Sequence, residues 1–239
     1  MITLNTLSIR FGGLVALNDV SASFTAPVAG IIGPNGAGKT TIMNIMSGFL
    51  TASGGQALLD GADILRLAPH RRAQQGLRRS FQTEQIADDL TVLDNVLVQT
   101  DWQLSGGRAR RAEALDMLAV VGLADRAGKL GADLSGFERR LTDVARCMVG
   151  SPRLIMFDEP AGGLSVAETQ TLGDLILGIH ARTGAQVLVI DHDVDLIARI
   201  CAETLVLDFG RRIAFGPTAA VLADPAVKAA YLGSVEGAP

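Results

Sequence analysis

The chain has little to stack with and little with which to grip a polyanion. Aromatic residues make up 4% of its 239 positions, too few for a platform that binds single-stranded nucleic acid by stacking. Lys and Arg (21) are outnumbered by Asp and Glu (25), giving a net charge of −4, whereas a nucleic-acid binder carries a basic excess. No nucleic-acid partner is expected. Arginines do come in pairs, at Arg71-Arg72, Arg78-Arg79, Arg110-Arg111, Arg139-Arg140 and Arg211-Arg212. Being scattered, most of these read as solvated faces. Only two cysteines occur, Cys147 and Cys201, each in an apolar segment; they read as small core residues in a reducing compartment, with no disulfide or metal role. The N-terminal "MITLNTLSIRF" has no basic region ahead of a long apolar run, so no signal peptide is read. No stretch approaches the roughly 20 apolar residues of a membrane helix. These absences together predict a soluble, cytoplasmic protein.

What is abundant is core-forming material, 48% of the composition, enough for one large domain or one domain with an inserted lobe. Apolar runs and turn residues predict strands at 2–10, 20–25, 28–32, within 53–61 and at 77–81, with helices at 39–47 and 69–76. From about 83 to 150 the pattern turns helical, with segments near 91–99, 109–121 and 135–149. Strands and helices then alternate: strand 153–157, helix 165–181, strand 186–190, helix 193–201, strands 203–208 and 211–215, and two short helices. The order predicts a mostly parallel α/β core interrupted by a helical lobe, and a frayed tail over "SVEGAP".

Two motifs carry chemistry. "GPNGAGKT" (33–40) fits G-x-x-x-x-G-K-[ST] between a predicted buried strand and a predicted helix, the context that separates a phosphate loop from a glycine-rich turn. Its backbone N–H groups can surround phosphate oxygens, and the following helix points its positive end at the same anion. Lys39 can reach the β- and γ-phosphates and Thr40 can ligate Mg²⁺. "LIMFDEP" (154–160) ends an apolar strand in two acids, at the strand end where open α/β sheets bind ligands. Asp158 is placed to hold Mg²⁺. Glu159 is placed to orient or deprotonate a water. A lone "DE" after a strand is commonly a solvated turn; beside a phosphate loop it is read as part of the site.

"LSGFE" (134–138) starts a helix with Ser135 as N-cap and Glu138 as the reciprocal residue of a capping box. An ordinary capped helix and a phosphate-facing helix start are both compatible with it.

With these residues in place, the chain resembles the ATP-binding subunits of ABC transporters over nearly its whole length. The resemblance implies a P-loop NTPase core of ABC type with an antiparallel β subdomain (α/β class), residues 1–82 and 150–239, and an inserted helical signature subdomain, 83–149, within one domain, 1–239. It implies that Gly33, Pro34, Asn35, Gly36, Ala37, Gly38, Lys39, Thr40 and Thr41 bind ATP. Phe11 matches the aromatic that stacks on adenine, though a core Phe at a strand end would look the same. Gln82, ending "RRSFQ", matches a glutamine that senses Mg²⁺ and the attacking water. His192, in "VIDHDV", matches a switch histidine at the γ-phosphate. Catalysis then falls to Glu159, His192 and Gln82, and the metal to Thr40, Gln82 and Asp158. His70 and His180 match no such role and read as surface residues.

In this family two subunits assemble head to tail, and Ser135 and Gly136 of one face the ATP of the other. Phe137 and Glu138 depart from the usual Gly-Gln, and Ser165 from the usual Asp or Asn. Either backbone amides do most of the binding and the departures are tolerated, or the composite site is weakened. "GLVALNDVS", "HRRAQQGLRRSFQ", "ARCMVGSPRLIMFDEPAGGLS" and "DPAVKAAYLG" are similar to the group that powers uptake of branched-chain amino acids and related polar solutes. That implies a second ATP-binding subunit, membrane permease subunits and, indirectly, a solute-binding protein as partners, with ATP and Mg²⁺ as cofactors and a place on the inner face of the membrane. A different class, an ATP-dependent assembly or regulatory protein with little turnover, is the runner-up. A soluble ABC ATPase acting on nucleic acid or the ribosome is disfavoured by the acidic charge.

Overall fold

The structure, a computed structural model, describes residues 1–103 and 106–232. The tail 234–239 expected to fray lies outside them.

Strands β1 (Ile2–Phe11) and β2 (Leu14–Phe24) form an antiparallel hairpin. β2 begins well before the predicted residue 20, because its first half pairs along β1 as a partly exposed strand with no clean alternation for the sequence to reveal. β3 (Val28–Ile32) is buried along its whole length and leads through the phosphate loop to α1 (Lys39–Ser47). β4 (Gly54–Leu59) and β5 (Ala62–Asp63) complete a four-stranded antiparallel sheet of order β2-β1-β4-β5. α2 (Pro69–Gln74) and β6 (Leu77–Ser80) follow.

Helices α3 (Val92–Leu97), α4 (Gly107–Val120) and α5 (Gly136–Met148) pack on one another. The chain then returns as β7 (Leu154–Asp158), α6 (Val166–Thr183), β8 (Gln186–Ile190), α7 (Val194–Ile200), β9 (Glu203–Asp208), β10 (Arg211–Pro217), α8 (Thr218–Ala223) and α9 (Pro225–Leu232). The second sheet has the order β10-β9-β3-β8-β7-β6. Its strands are parallel except β10, which pairs antiparallel with β9.

Alternation along the central strands divides the interior in two. Val28 and Ile32 of β3 and Ile155 and Phe157 of β7 join Val96, Leu118 and Val144 of the three helices in one core. Ala29, Ile31, Leu154 and Met156 face the other way, into a core shared with Leu4, Ile9, Phe24 and Met43. Strands buried on both faces read as unbroken apolar runs, which is why 28–32, 153–157 and 186–190 were legible. The parallel register carries the ends of β3, β7 and β8 to one edge of the sheet, so residues 33–40, 158–159 and 191–192 meet there.

Candidate nucleotide site

The loop 33–38 depends on glycine at two points. Gly33 has φ 151°, and a Cβ there would lie 2.2 Å from the Leu207 carbonyl oxygen. Gly38 has φ 101° and caps α1 in the left-handed region. With no cap side chain bound to the first turn of α1, its N–H groups are left for an anion. Lys39 is 6% exposed, and its Nζ donates to the Gly33 carbonyl at 2.7 Å and the Pro34 carbonyl at 2.9 Å. Burial pushes its pKa below the ordinary value, against the charges of Glu159, Asp158 and Asp191, which raise it.

Asp158 ends β7, and its two oxygens are divided between partners. Oδ1 accepts from the Thr40 hydroxyl at 3.3 Å, and Oδ2 accepts from Arg79 Nη2 at 2.8 Å. Glu159 follows with φ 49°, a left-handed conformation uncommon for a residue with a side chain. Its N–H donates to the Ile190 carbonyl at 2.7 Å, tying it to the end of β8. Its Oε2 accepts from Gln82 Nε2 at 3.0 Å and lies 3.9 Å from His192 Nδ1. Asp191, fully buried, accepts from the backbone N–H of Ala161 and of Asp193. It thereby joins the segment after Glu159 to the one carrying His192, whose Nδ1 is 3.6 Å from Asp191 Oδ1.

Lys39, Thr40, Asp158, Glu159, Gln82 and His192 are thus brought together. Phe11, at the end of β1, is 47% exposed, its ring open to solvent. Ser135 and Gly136 stand apart: both are exposed, and the hydrogen bonds of Ser135 run to Glu138 and Arg139, not to the phosphate loop. The capping box at Ser135 is formed. Phe137 is half-buried and packs on the core beneath α5. Glu138 turns back to the Ser135 N–H at 2.8 Å and to Lys129 at 3.3 Å. The Ser135 N–H, more than Lys129, holds its pKa below the ordinary carboxylate value. Ser165 caps α6 with its own capping box to Glu168, a role for which Ser, Asp and Asn are about equally suited.

The reading of the arginine pairs holds only in part. Of the arginine pairs read as solvated faces, Arg72, Arg78 and Arg140 are buried and the Arg79 side chain is 6% exposed. Each is used to satisfy inward carbonyls or carboxylates. Arg79, Asp191 and Arg140 are the site's neighbours that sequence reasoning missed; Arg79 was signalled only by its place in the short strand β6, and Asp191 and Arg140 by nothing local. Both cysteines are buried and free, as expected of core residues, and burial pushes the Cys201 thiol up to about 12. His70 and His180 are exposed, as expected.

Comparison with known proteins agrees with this geometry. Residues 17–162 match the family model described as ABC transporter, and 211–237 match that described as branched-chain amino acid ATP-binding cassette transporter. The high-affinity branched-chain amino acid transport ATP-binding protein LivG of Escherichia coli K12 is 34% identical, covering 98% of both chains. The corresponding protein BraF of Pseudomonas aeruginosa is 35% identical, covering 95% of both. Among solved structures, the ADP conformation of MJ1267, an ATP-binding cassette of an ABC transporter, superimposes with a TM-score of 0.87 at 27% identity, covering 98% of each chain. A phosphate loop after β3, an acid pair after β7 and these full-length likenesses converge: the chain belongs to the ABC transporter ATP-binding family.

Proposed function

We propose that this chain is the ATP-hydrolysing subunit of an ABC importer for branched-chain amino acids or a related small polar solute. The observation that carries the reading is the placement of Glu159 between Gln82 and His192 beside the Lys39–Thr40–Asp158 phosphate site. The solute class is supported by the likeness of residues 211–237 and of the whole chain to branched-chain amino acid systems. The assembly and regulatory alternatives have no comparable support.

In this mechanism Lys39 and the N-terminal amides of α1 hold the β- and γ-phosphates and offset charge that develops in the transition state. Glu159 accepts a hydrogen bond from the attacking water and orients it in line with the γ-phosphate. Gln82 and His192 fix the Glu159 carboxylate and complete the polar wall around that water. The metal reading fits the donors present. Thr40 and Asp158 offer oxygen ligands in contact with one another, and the Gln82 amide oxygen is free of the bond its nitrogen makes. Among the described residues no three His, Cys, Asp or Glu side chains form a cage of their own. This suits Mg²⁺, which keeps waters and phosphates as ligands. When bound, Mg²⁺ would supply Lewis-acid neutralisation of the phosphate oxygens.

The working unit is a dimer of ATP-binding subunits, the exposed start of α5, Ser135 and Gly136, facing the partner's phosphate loop. Permease subunits hold it at the cytoplasmic face of the membrane, with a solute-binding protein on the far side. Among the described residues no helix is long and apolar enough to cross a membrane, consistent with attachment through such partners. The test is reconstitution in proteoliposomes with the permease and solute-binding subunits of a branched-chain amino acid importer. ATPase activity should rise on adding leucine-loaded binding protein and be lost in Glu159→Gln. Turnover indifferent to every amino acid and to the permease would overturn the reading.

A further inference from the structure

Arg79 touches the site directly, through Asp158, yet the mechanism makes no use of it. Its guanidinium is spread over five partners. Nη2 donates to Asp158 Oδ2 at 2.8 Å, while Nη1 donates to Asn44 Oδ1 at 2.7 Å and Ser47 Oγ at 3.2 Å. Its Cζ lies 4.7 Å from the centroid of the Phe81 ring and 5.8 Å from that of Phe49. Both Arg79 and Asp158 side chains are 6% exposed. A guanidinium stays charged at any ordinary pH, and this one is held from too many sides to swing away. It therefore remains beside Asp158 whether or not another cation is present.

The division of the carboxylate gives this its meaning. One oxygen of Asp158 faces Thr40, where a metal ligand is wanted, and the other is taken by Arg79. Without Arg79, the charges of Asp158, Glu159 and Asp191, all within electrostatic reach of Lys39, would confront incoming phosphates with only Lys39 and the α1 amides to offset them. We propose that Arg79 is a resident cation of the Asp158 carboxylate, a positioning residue that lowers the dependence of nucleotide binding on divalent metal. It does so in two ways. Neutralising half of Asp158 lets metal-free ATP enter, and a fixed positive charge beside the metal position weakens the attraction for Mg²⁺. The proposal rests on the metal reading given above.

The test uses the full chain and the non-hydrolysed analogue AMP-PNP, with its Kd measured by calorimetry in EDTA and in excess Mg²⁺. The ratio of the two is the readout. In Arg79→Gln it should rise about tenfold, equivalent to ~1.4 kcal/mol, mainly through weaker metal-free binding. A role confined to stability would weaken both forms alike and leave the ratio unchanged, which would overturn the proposal. Should Arg79→Gln fail to fold, Arg79→Lys decides. Its compact ammonium cannot span Asp158 and Asn44 together, and the ratio should rise at least about twofold, since Lys does not replace a forked guanidinium; a wild-type ratio there would equally overturn it. If the wild type itself shows no dependence on Mg²⁺, the metal reading fails. If that dependence is present and the variants share it, only the assignment of Arg79 fails.

Discussion

Arg140, one turn into α5, reaches across to Glu84 with 2.7 Å between Nη2 and Oε1. The same guanidinium donates to the carbonyls of Phe81 and Gln82. Arg139 and Arg146 extend the grip to the carbonyls of Ile86 and Gln85. The helix that begins at Ser135 therefore holds, by its arginines, the segment that carries Gln82. Arg140→Met leaves Glu84 and two carbonyls without their partner. The expected loss is about 3 kcal/mol of stability, the range for breaking a buried ion pair from one side. Denaturant titration checks the loss. ATPase assay of the reconstituted complex should show activity falling further than in Glu84→Gln, which keeps the guanidinium on both carbonyls.

Glu159→Gln preserves shape and the contact with Gln82 while removing basicity. Hydrolysis should slow by about 10²- to 10⁴-fold, with AMP-PNP affinity unchanged in calorimetry. An ATP-dependent dimer should become visible by size-exclusion chromatography.

Lys39→Ala should cost about 10- to 100-fold in ATP affinity, the worth of a charge-assisted hydrogen bond. pH offers a second measurement on the wild type. The folded pKa of Lys39 lies below the ordinary 10.5 of the unfolded chain. Between those two values the unfolded state binds more protons, so the nucleotide-free protein gains stability as pH rises. ATP affinity should fall over the same window, because the ligand needs the ammonium. Lys39→Ala removes both trends.

Phe137→Gly with Glu138→Gln restores the usual family pattern, yet the side chain it deletes packs on the core. The expected outcome is no tighter ATP-driven dimer in the Glu159→Gln background and a loss of about 1–3 kcal/mol in stability, read by analytical ultracentrifugation and thermal melts. Glu138 is held below its ordinary 4.5. Its contribution is therefore present above that value and fades as pH falls through the lower folded pKa, a trend that Glu138→Gln abolishes.

The phosphate loop, Asp158 and Glu159 were legible because each lies within a contiguous motif whose spacing already states its geometry. Gln82 and His192 were legible only through resemblance, since nothing local to them signals a role. Arg79, Arg140 and Asp191 escaped for a different reason. Charged side chains are seldom buried, so a doublet such as Arg78-Arg79 in a short strand favours the solvated reading until the partner, 79 residues away for Arg79 and Asp158, is seen. The first half of β2 escaped because its pairing with β1 passes through Asp19, at φ 53°, and shifts register three times, which erases the alternation.

The left-handed backbone at Glu159 carries a thermodynamic penalty of about 1–2 kcal/mol for a residue with a Cβ. Glycine would feel almost none of it. A Glu159→Gly chain should therefore melt at or above the wild-type temperature, even after losing the contact with Gln82, while turning over no ATP. The active site is in this sense a spring held compressed by the rest of the fold. The carboxylate beside the phosphate loop is thus carried at a cost in stability that the remainder of the fold offsets.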